Sequence, residues 1–342
     1  MDGPLGLGHR CAAGGAPALS TQREPPAHAV GGRRDGGGSR AALRRHRGAR
    51  RTRADGRRAR YAARMSTHTA FVLAAGFGTR LRPLTELRPK PLVPVCGVPM
   101  LAYALALCAR HGHRKVVVNA HYLADQLRPW AGEHEGVEVT LSVEAPDILG
   151  TGGGLAAVRD QLAERFAIVN ADILCDIDLT ALVDAVPAGG AAMALRPTDD
   201  VDEYGLVAAD TSGTVVQLTS VAQAPAQGEV RRDTHFTGVH ALHRDALARV
   251  PVAFSSIISD SYAHTVPQRR VRGLRHTGTW LDVGNPAAYL AANLAVLAGQ
   301  VALPLDPFAR AAFGRSGESV VGEVPPGVVV RGNVWVGKGA EL

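Results

Sequence analysis

Apolar and polar positions along residues 69–182 switch repeatedly between two periods. Phe71-Val72-Leu73-Ala74 is an unbroken apolar run of strand length, as expected for a strand buried on both faces. A helical pattern follows over Met100–His111, then Val116-Val117-Val118 as a second strand and Tyr122–Trp130 as a second helix. Val137–Val143 predicts a strand, Gly154–Arg165 a third helix, and Phe166-Ala167-Ile168-Val169 another buried strand. Strands alternating with helices in this way predict an α/β fold with a doubly wound, mostly parallel sheet. Ligands of such sheets bind beyond the carboxyl ends of the strands. The segments Gly76–Arg80 and Asn170-Ala171-Asp172 both follow strands, so the pattern sets both on one rim.

Beyond Ala191–Leu195 the runs shorten to Gly205–Ala209, Thr214–Leu218 and Thr237–Leu242, which read as an insertion or lid. Residues 255–264 look helical, Val271–His276 looks extended, and Pro286–Ala298 predicts the last helix of this part. After Gln300 comes a proline- and glycine-bearing linker. Val324, Val330, Val336 and Leu342 then fall six residues apart, with Gly337 and Ala340 between the last two. That spacing fits a single hexapeptide coil, which cannot bury its own face and must dock on something. The predicted organisation is a basic tail over 1–65, a main domain over 66–300, and a linker with one coil over 301–342.

Charge divides the chain in the same place. Residues 1–64 hold 15 arginines against 4 acidic residues, so the net +7 of the chain hides a mildly acidic remainder. This removes nucleic acid as a partner of the folded part. The tail has few aromatic or β-branched residues and is predicted to be disordered. A nucleic-acid arm, a targeting peptide and a start assigned too far upstream compete for it, with scarce serine and the lack of an apolar h-region counting against targeting. Met65, just ahead of the first strand, makes the last reading the preferred one. No run approaches the roughly 18–20 apolar residues of a membrane span. Cys96, Cys108 and Cys175 lie among apolar neighbours without metal-ligand spacing, which predicts buried free thiols and a cytoplasmic protein.

The chemistry gathers in Phe71–Val95, FVLAAGFGTRLRPLTELRPKPLVPV. The first strand empties into Ala75-Gly76-Phe77-Gly78-Thr79-Arg80, where two glycines let the backbone turn and bring its N–H groups to a ligand. Arg80 and Lys90 follow, among three prolines. Amides followed by fixed cations suit a polyphosphate. Only Lys90, Lys115 and Lys338 are lysines among 38 basic residues. A compact ammonium kept between two prolines fits a phosphate better than a planar fork does. Lys115 reads as solvated, Asp178 as a helix cap, and His121, His235 and His276 as structural.

The run LAAGFGTRLRPLT followed by PKPLVPV resembles the signature of the sugar-1-phosphate nucleotidyltransferases, and the likeness extends with gaps from about Thr69 to Leu342. It implies a Rossmann-like nucleotide-diphospho-sugar transferase fold, with a C-terminal left-handed β-helix that the six-residue spacing would begin. It also implies transfer of a nucleotidyl group, uridylyl or guanylyl, from an NTP to a sugar 1-phosphate for cell-wall or surface polysaccharide precursors. By this resemblance Leu73, Ala74, Ala75, Gly76, Gly78 and Thr79 border the nucleotide, as do Gly152 and Gly153 of a second glycine loop. Arg80 and Lys90 take the phosphates. Asp172 and Asp282 hold Mg²⁺, and Glu144, Gly205, Thr237 and Gly238 face the sugar.

Many members carry a second lysine after the insertion strands; Thr219–Pro225 has none. Either Arg231 or Arg232 replaces it, or the chain sides with the N-acetylmuramate-1-phosphate uridylyltransferases, whose triple-glycine loop it shares. The coil points instead toward the mannose-1-phosphate guanylyltransferases. Some relatives keep the fold as catalytically inactive regulators, but such chains tend to lose the arginine, the lysine or the aspartates, all present here. A homo-oligomer stays open.

Overall fold

Phe71 points to one face of its strand while Ala70 and Val72 point to the other, and each face meets its own core. This is the arrangement of a computed structural model that describes residues 68–199 and 204–310, with the strand pairs Val320–Val321 and Val334–Trp335. Eight strands form the main sheet: β1 Thr69–Leu73, β2 Lys115–Ala120, β3 Gly132–His134, β4 Val137–Val143, β5 Arg165–Asn170, β6 Ala191–Pro197, β7 Thr234–His243 and β8 Val271–Arg275. Their spatial order is β8-β6-β7-β5-β1-β2-β4-β3. The pairs β1–β2, β1–β5, β2–β4 and β6–β8 are parallel. Strand β7 runs antiparallel to both neighbours, and β3 antiparallel to β4. The expected mostly parallel α/β sheet is present, with helices on both faces.

On one face lie α1 (Met100–Arg110) and α3 (Leu179–Ala185), packed on Val72, Val118 and Val169. Helix α1 is buried continuously from Met100 to Cys108, because its far side meets a third core around Leu81, Val93, Val95 and Val283. Asp178 caps α3 by accepting from the Ala181 N–H at 2.9 Å, as the sequence indicated. The other face carries α2 (Gly150–Ala157) and a four-stranded antiparallel sheet of Val207–Asp210, Val215–Leu218, Ala222–Gln223 and Val230–Arg231. Helix α4 (Pro286–Leu297) joins the third core, and Val301, Leu303, Leu305 and Phe308 continue onto it. Asp210 ties the small sheet to the chain before β8. Burial alone would raise its pKa, but hydrogen bonds from Ser212, Gln227, Arg269 and Thr214 outweigh that and hold it well below the carboxylate range.

Three expectations are corrected. Strand Thr237–Leu242 belongs to the main sheet as part of β7, paired with β5 and β6, so the insertion is only the small sheet. Tyr122–Trp130 is not an α-helix: Leu123 sits at φ 49° and Pro129 interrupts the ladder, leaving 3-10 turns over Ala124–Trp130. The helix predicted from Gly154 begins at Gly150 and ends at Ala157, and Arg165 already opens β5. The helix expected over 255–264 is present as a π turn, Ile258–Tyr262, that runs into a short α-helix, Ala263–Thr265. The tail over 1–65 and the hexapeptide coil fall outside the described residues, apart from a short parallel pairing of Val320 with Val334 and Val321 with Trp335.

Cys96, Cys108 and Cys175 are free and buried, and burial pushes the Cys108 and Cys175 thiols up to about 12. Among the described residues no helix is long and apolar enough to cross a membrane.

Two buried histidines give the fold a pH dependence. Burial pushes His240, whose ring meets the Tyr262 hydroxyl, down to about 3. Burial, with His68 nearby, pushes His113 to about 4. An unfolded histidine titrates at about 6.5, so unfolding takes up protons below that pH. The stability these neutral rings contribute is complete above about pH 6.5 and is lost as pH falls toward 4 and 3. The expected slope is about 1.4 kcal/mol per pH unit for each residue. His240→Gln should flatten the dependence of unfolding free energy on pH between about 6 and 4.5. An unchanged slope would mean that the folded ring is already protonated.

Candidate active site

The carboxyl ends of β1, β2 and β5 open into a cavity of about 210 Å³. Leu73, Ala74, Ala75 and Gly76 form one side, Lys90 and Pro91 a second, Ile148, Gly150 and Thr151 a third, and Asn119, Asn170, Ala171 and Asp172 the floor and rim. The turn works as the sequence demands at one position in particular. Gly78 has φ 65°, and a side-chain carbon there would lie 2.9 Å from Thr85 Cγ2 and 3.1 Å from Lys90 Cβ. The turn is fixed further by the Thr85 hydroxyl, which donates to the Gly78 carbonyl at 2.8 Å. Gly78 and Thr79 shape the turn without lining the cavity. Phe77, half exposed between the glycines, meets the His121 ring edge-on with centroids 5.5 Å apart.

Lys90 and Asp172, 82 positions apart, form a direct ion pair at the rim, with side chains 12% and 26% exposed. Asp282 is brought to the same place by backbone pairing. The strand Trp280–Asp282 runs antiparallel to Ile173–Cys175, with Asp282 opposite Ile173, and the Val283 N–H donates to the Asp172 carbonyl at 3.0 Å. Arg80 lies beside Asp282. A side-chain carbon at Gly284 would lie 3.3 Å from Asp282 Oδ1 and 3.5 Å from Arg80 Nη2. Lys90 and Asp172 line the cavity, whereas Arg80 and Asp282 do not; Asp282 is joined to the rim through its backbone, with Arg80 beside it.

The donor set is compatible with a hard cation. Two carboxylates with adjacent backbones supply oxygen ligands, and each has a basic side chain nearby. Among the described residues no group of three or more His, Cys, Asp or Glu stands ready to enclose a metal. A cation here would have to complete its shell with phosphate oxygens and water, the usual habit of Mg²⁺ in phosphoryl chemistry.

The second glycine loop divides differently from the expectation. Gly150 and Thr151 face the cavity, whereas Gly152 and Gly153 are buried against residues 253–256. The Gly152 N–H donates to the Ser255 carbonyl at 2.9 Å, and a side-chain carbon on Gly153 would meet the Ala253 oxygen at 2.0 Å. Glu144 is 3% exposed, and each of its oxygens accepts from a protein N–H group. The Thr237 hydroxyl donates to the Ala194 carbonyl, Gly205 faces Thr219, and Gly238 backs onto Asn170. None of these four lines the cavity. Arg231 and Arg232 lie at the small sheet, Arg232 bonded to Gln217. Sequence reasoning missed Asn119, a polar residue at the carboxyl end of an apolar strand, where that position was itself the signal.

An open α/β sheet with a cavity at its carboxyl strand ends, beside a glycine turn, is the arrangement in which such sheets bind their ligands. A sequence profile described as nucleotidyl transferase matches residues 69–299. The chain belongs to that family. It is similar to the mannose-1-phosphate guanylyltransferase catalytic subunit beta of Drosophila melanogaster, 29% identical over 229 residues, which are 65% of this chain and 60% of that protein. The chain thus spans about 60% of that relative's length. It is also similar to the mannose-1-phosphate guanylyltransferase of Mycobacterium tuberculosis, 28% identical over 296 residues, 81% of this chain and 78% of that protein. HddC of Yersinia pseudotuberculosis, crystallised with GMP-PN, superposes with a TM-score of 0.54 at 22% identity, over 66% of this chain and 98% of HddC. At that identity the likeness bears on the fold.

Proposed function

We propose that the protein transfers a nucleotidyl group from an NTP to a sugar 1-phosphate, releasing pyrophosphate and forming an NDP-sugar. What supports this reading is the Lys90–Asp172 ion pair at the cavity beside the glycine turn, with the Asp282 strand paired to the chain just after Asp172 and Arg80 next to Asp282. The attacking sugar-phosphate oxygen is already an anion, so no general base or covalent nucleophile is needed. The difficulty is to align two polyanions and to neutralise charge as the α-phosphorus is attacked in line. The amides of Ala75 and Gly76 and the Lys90 ammonium receive the triphosphate, and Arg80 balances the leaving β- and γ-phosphates. Asp172 and Asp282 would hold Mg²⁺, which when bound neutralises phosphate charge.

The relatives named above support guanylyl transfer to mannose 1-phosphate as the first pair to test, with uridylyl transfer second. The proposed product is a precursor for cell-wall or surface polysaccharide. Pyrophosphate release, measured over a matrix of four NTPs and several sugar 1-phosphates, should show one strongly preferred pair. Folded protein that stays silent across the matrix while still binding an NDP-sugar would identify a regulator instead of an enzyme.

A further inference from the structure

A buried chain of hydrogen bonds crosses beneath the cavity, and the proposed reaction makes no use of it. The Ala74 N–H donates to Asn119 Oδ1 at 2.7 Å, and Asn119 Nδ2 donates to Glu144 Oε1 at 2.8 Å. The Leu149 N–H donates to Glu144 Oε2 at 2.7 Å. Asn119 is 1% exposed and Glu144 3%. The polarity of every link is fixed. A backbone N–H can only donate, so Asn119 turns its oxygen to Ala74 and its amide to a carboxylate that only accepts.

A carboxylate is costly to bury unless its oxygens are satisfied, and here each oxygen receives one protein N–H. The two ends of the chain lie on different walls of the cavity. Ala74 belongs to the wall that runs into the glycine turn. Leu149 immediately precedes Gly150 and Thr151 on the wall made by α2. Gly154 makes room for the middle link, since a side-chain carbon there would lie 2.5 Å from Glu144 Oε1 and 3.0 Å from Asn119 Nδ2. The last glycine of the triplet thereby acquires a physical reason.

We propose that Asn119 and Glu144 are positioning residues that set the spacing between the two walls of the nucleotide cavity. The inference rests on the NTP reading of that cavity. Its consequence is that breaking the relay weakens NTP binding more than turnover, because no group assigned to the reacting phosphates is removed.

The polarity rule supplies the test. Asn119→Asp sets two carboxylates against each other. Glu144→Gln turns an amide N–H toward another donor at one end or the other. Combined, the two substitutions satisfy every link again: the new carboxylate at 119 accepts from Ala74 and from the new amide at 144, whose oxygen accepts from Leu149. Each single variant should raise KM for the preferred NTP at least about tenfold and change kcat less than about threefold. The double variant should return KM to within about threefold of the wild type.

Amide hydrogen exchange at Ala74 and Leu149, followed without any substrate, should quicken in the single variants and recover in the double. Unchanged KM alongside faster exchange would overturn the positioning role. So would single-variant defects that the double variant does not repair. Should a single variant not fold, the double variant decides alone, since it must fold and bind GTP or UTP as the wild type does. A wild type that binds neither nucleotide removes the NTP reading and this proposal together, and the exchange data then show separately whether the relay itself exists.

Discussion

Asp172→Asn and Asp282→Asn are each expected to lower kcat by about 10³-fold while leaving the fold intact. The size follows from the number of oxygen ligands available. With two carboxylates on the rim and no third acidic or imidazole ligand grouped with them among the described residues, losing one halves the anionic support for a cation. The double variant should be little worse than either single one, because groups that act as a unit are strongly non-additive. Asp172 is partly exposed and its ionic partner Lys90 sits at the rim, so the unfolding temperature should move by no more than about 4 °C. Steady-state kinetics with Mg²⁺ titration and thermal melts read both quantities. Wild-type rates in both variants would remove the metal assignment, and a cooperative loss of folding would mean that the aspartates hold the sheet and not a ligand.

How far this site was readable in advance depended on whether a residue acts through local chain geometry or through distant packing. Strand β1 and the turn after it were legible because apolar run, glycines and cations follow one another in sequence. Asp172 and Asp282 are tied to one metal in the sequence only through the family resemblance. That their backbones pair through Ile173 and Val283 is a tertiary fact with no local signature. Strand β7 reads as part of the insertion because its antiparallel pairing with β5 and β6 joins segments about 40 to 80 residues away. The glycine triplet misled for the same reason. Its composition resembles a ligand loop, but two of its members are dictated by the Ser255 hydroxyl and the Ala253 oxygen, and the third by Glu144. Glu144 gave no sign that its charge would be enclosed, since a lone acidic residue after a strand looks like any surface carboxylate.

Lys90 offers the sharper trial of charge against shape. Lys90→Ala should lower kcat/KM by about 10²–10³-fold, the loss typical when one fixed donor to a developing anion is removed. Lys90→Arg keeps the charge and is nonetheless expected to recover less than a tenth of the wild-type value. The side chain leaves the chain between Pro89 and Pro91, with Pro91 buried, so its backbone has little freedom to shift. Its Cβ borders the Gly78 turn, and its ammonium meets Asp172 in a setting only 12% exposed. A planar guanidinium is wider and carries its donors in a fixed fork, which this narrow approach does not accommodate. In the free protein the ammonium and the Asp172 carboxylate neutralise each other, and a triphosphate must draw the ammonium away as the carboxylate takes up another cation. Lys90→Ala should therefore weaken triphosphate binding while changing the Mg²⁺ concentration needed for half-maximal rate, because Asp172 loses its resident partner. Equal activity of the arginine variant would show that charge alone suffices at position 90, and the steric half of the argument would have to be given up.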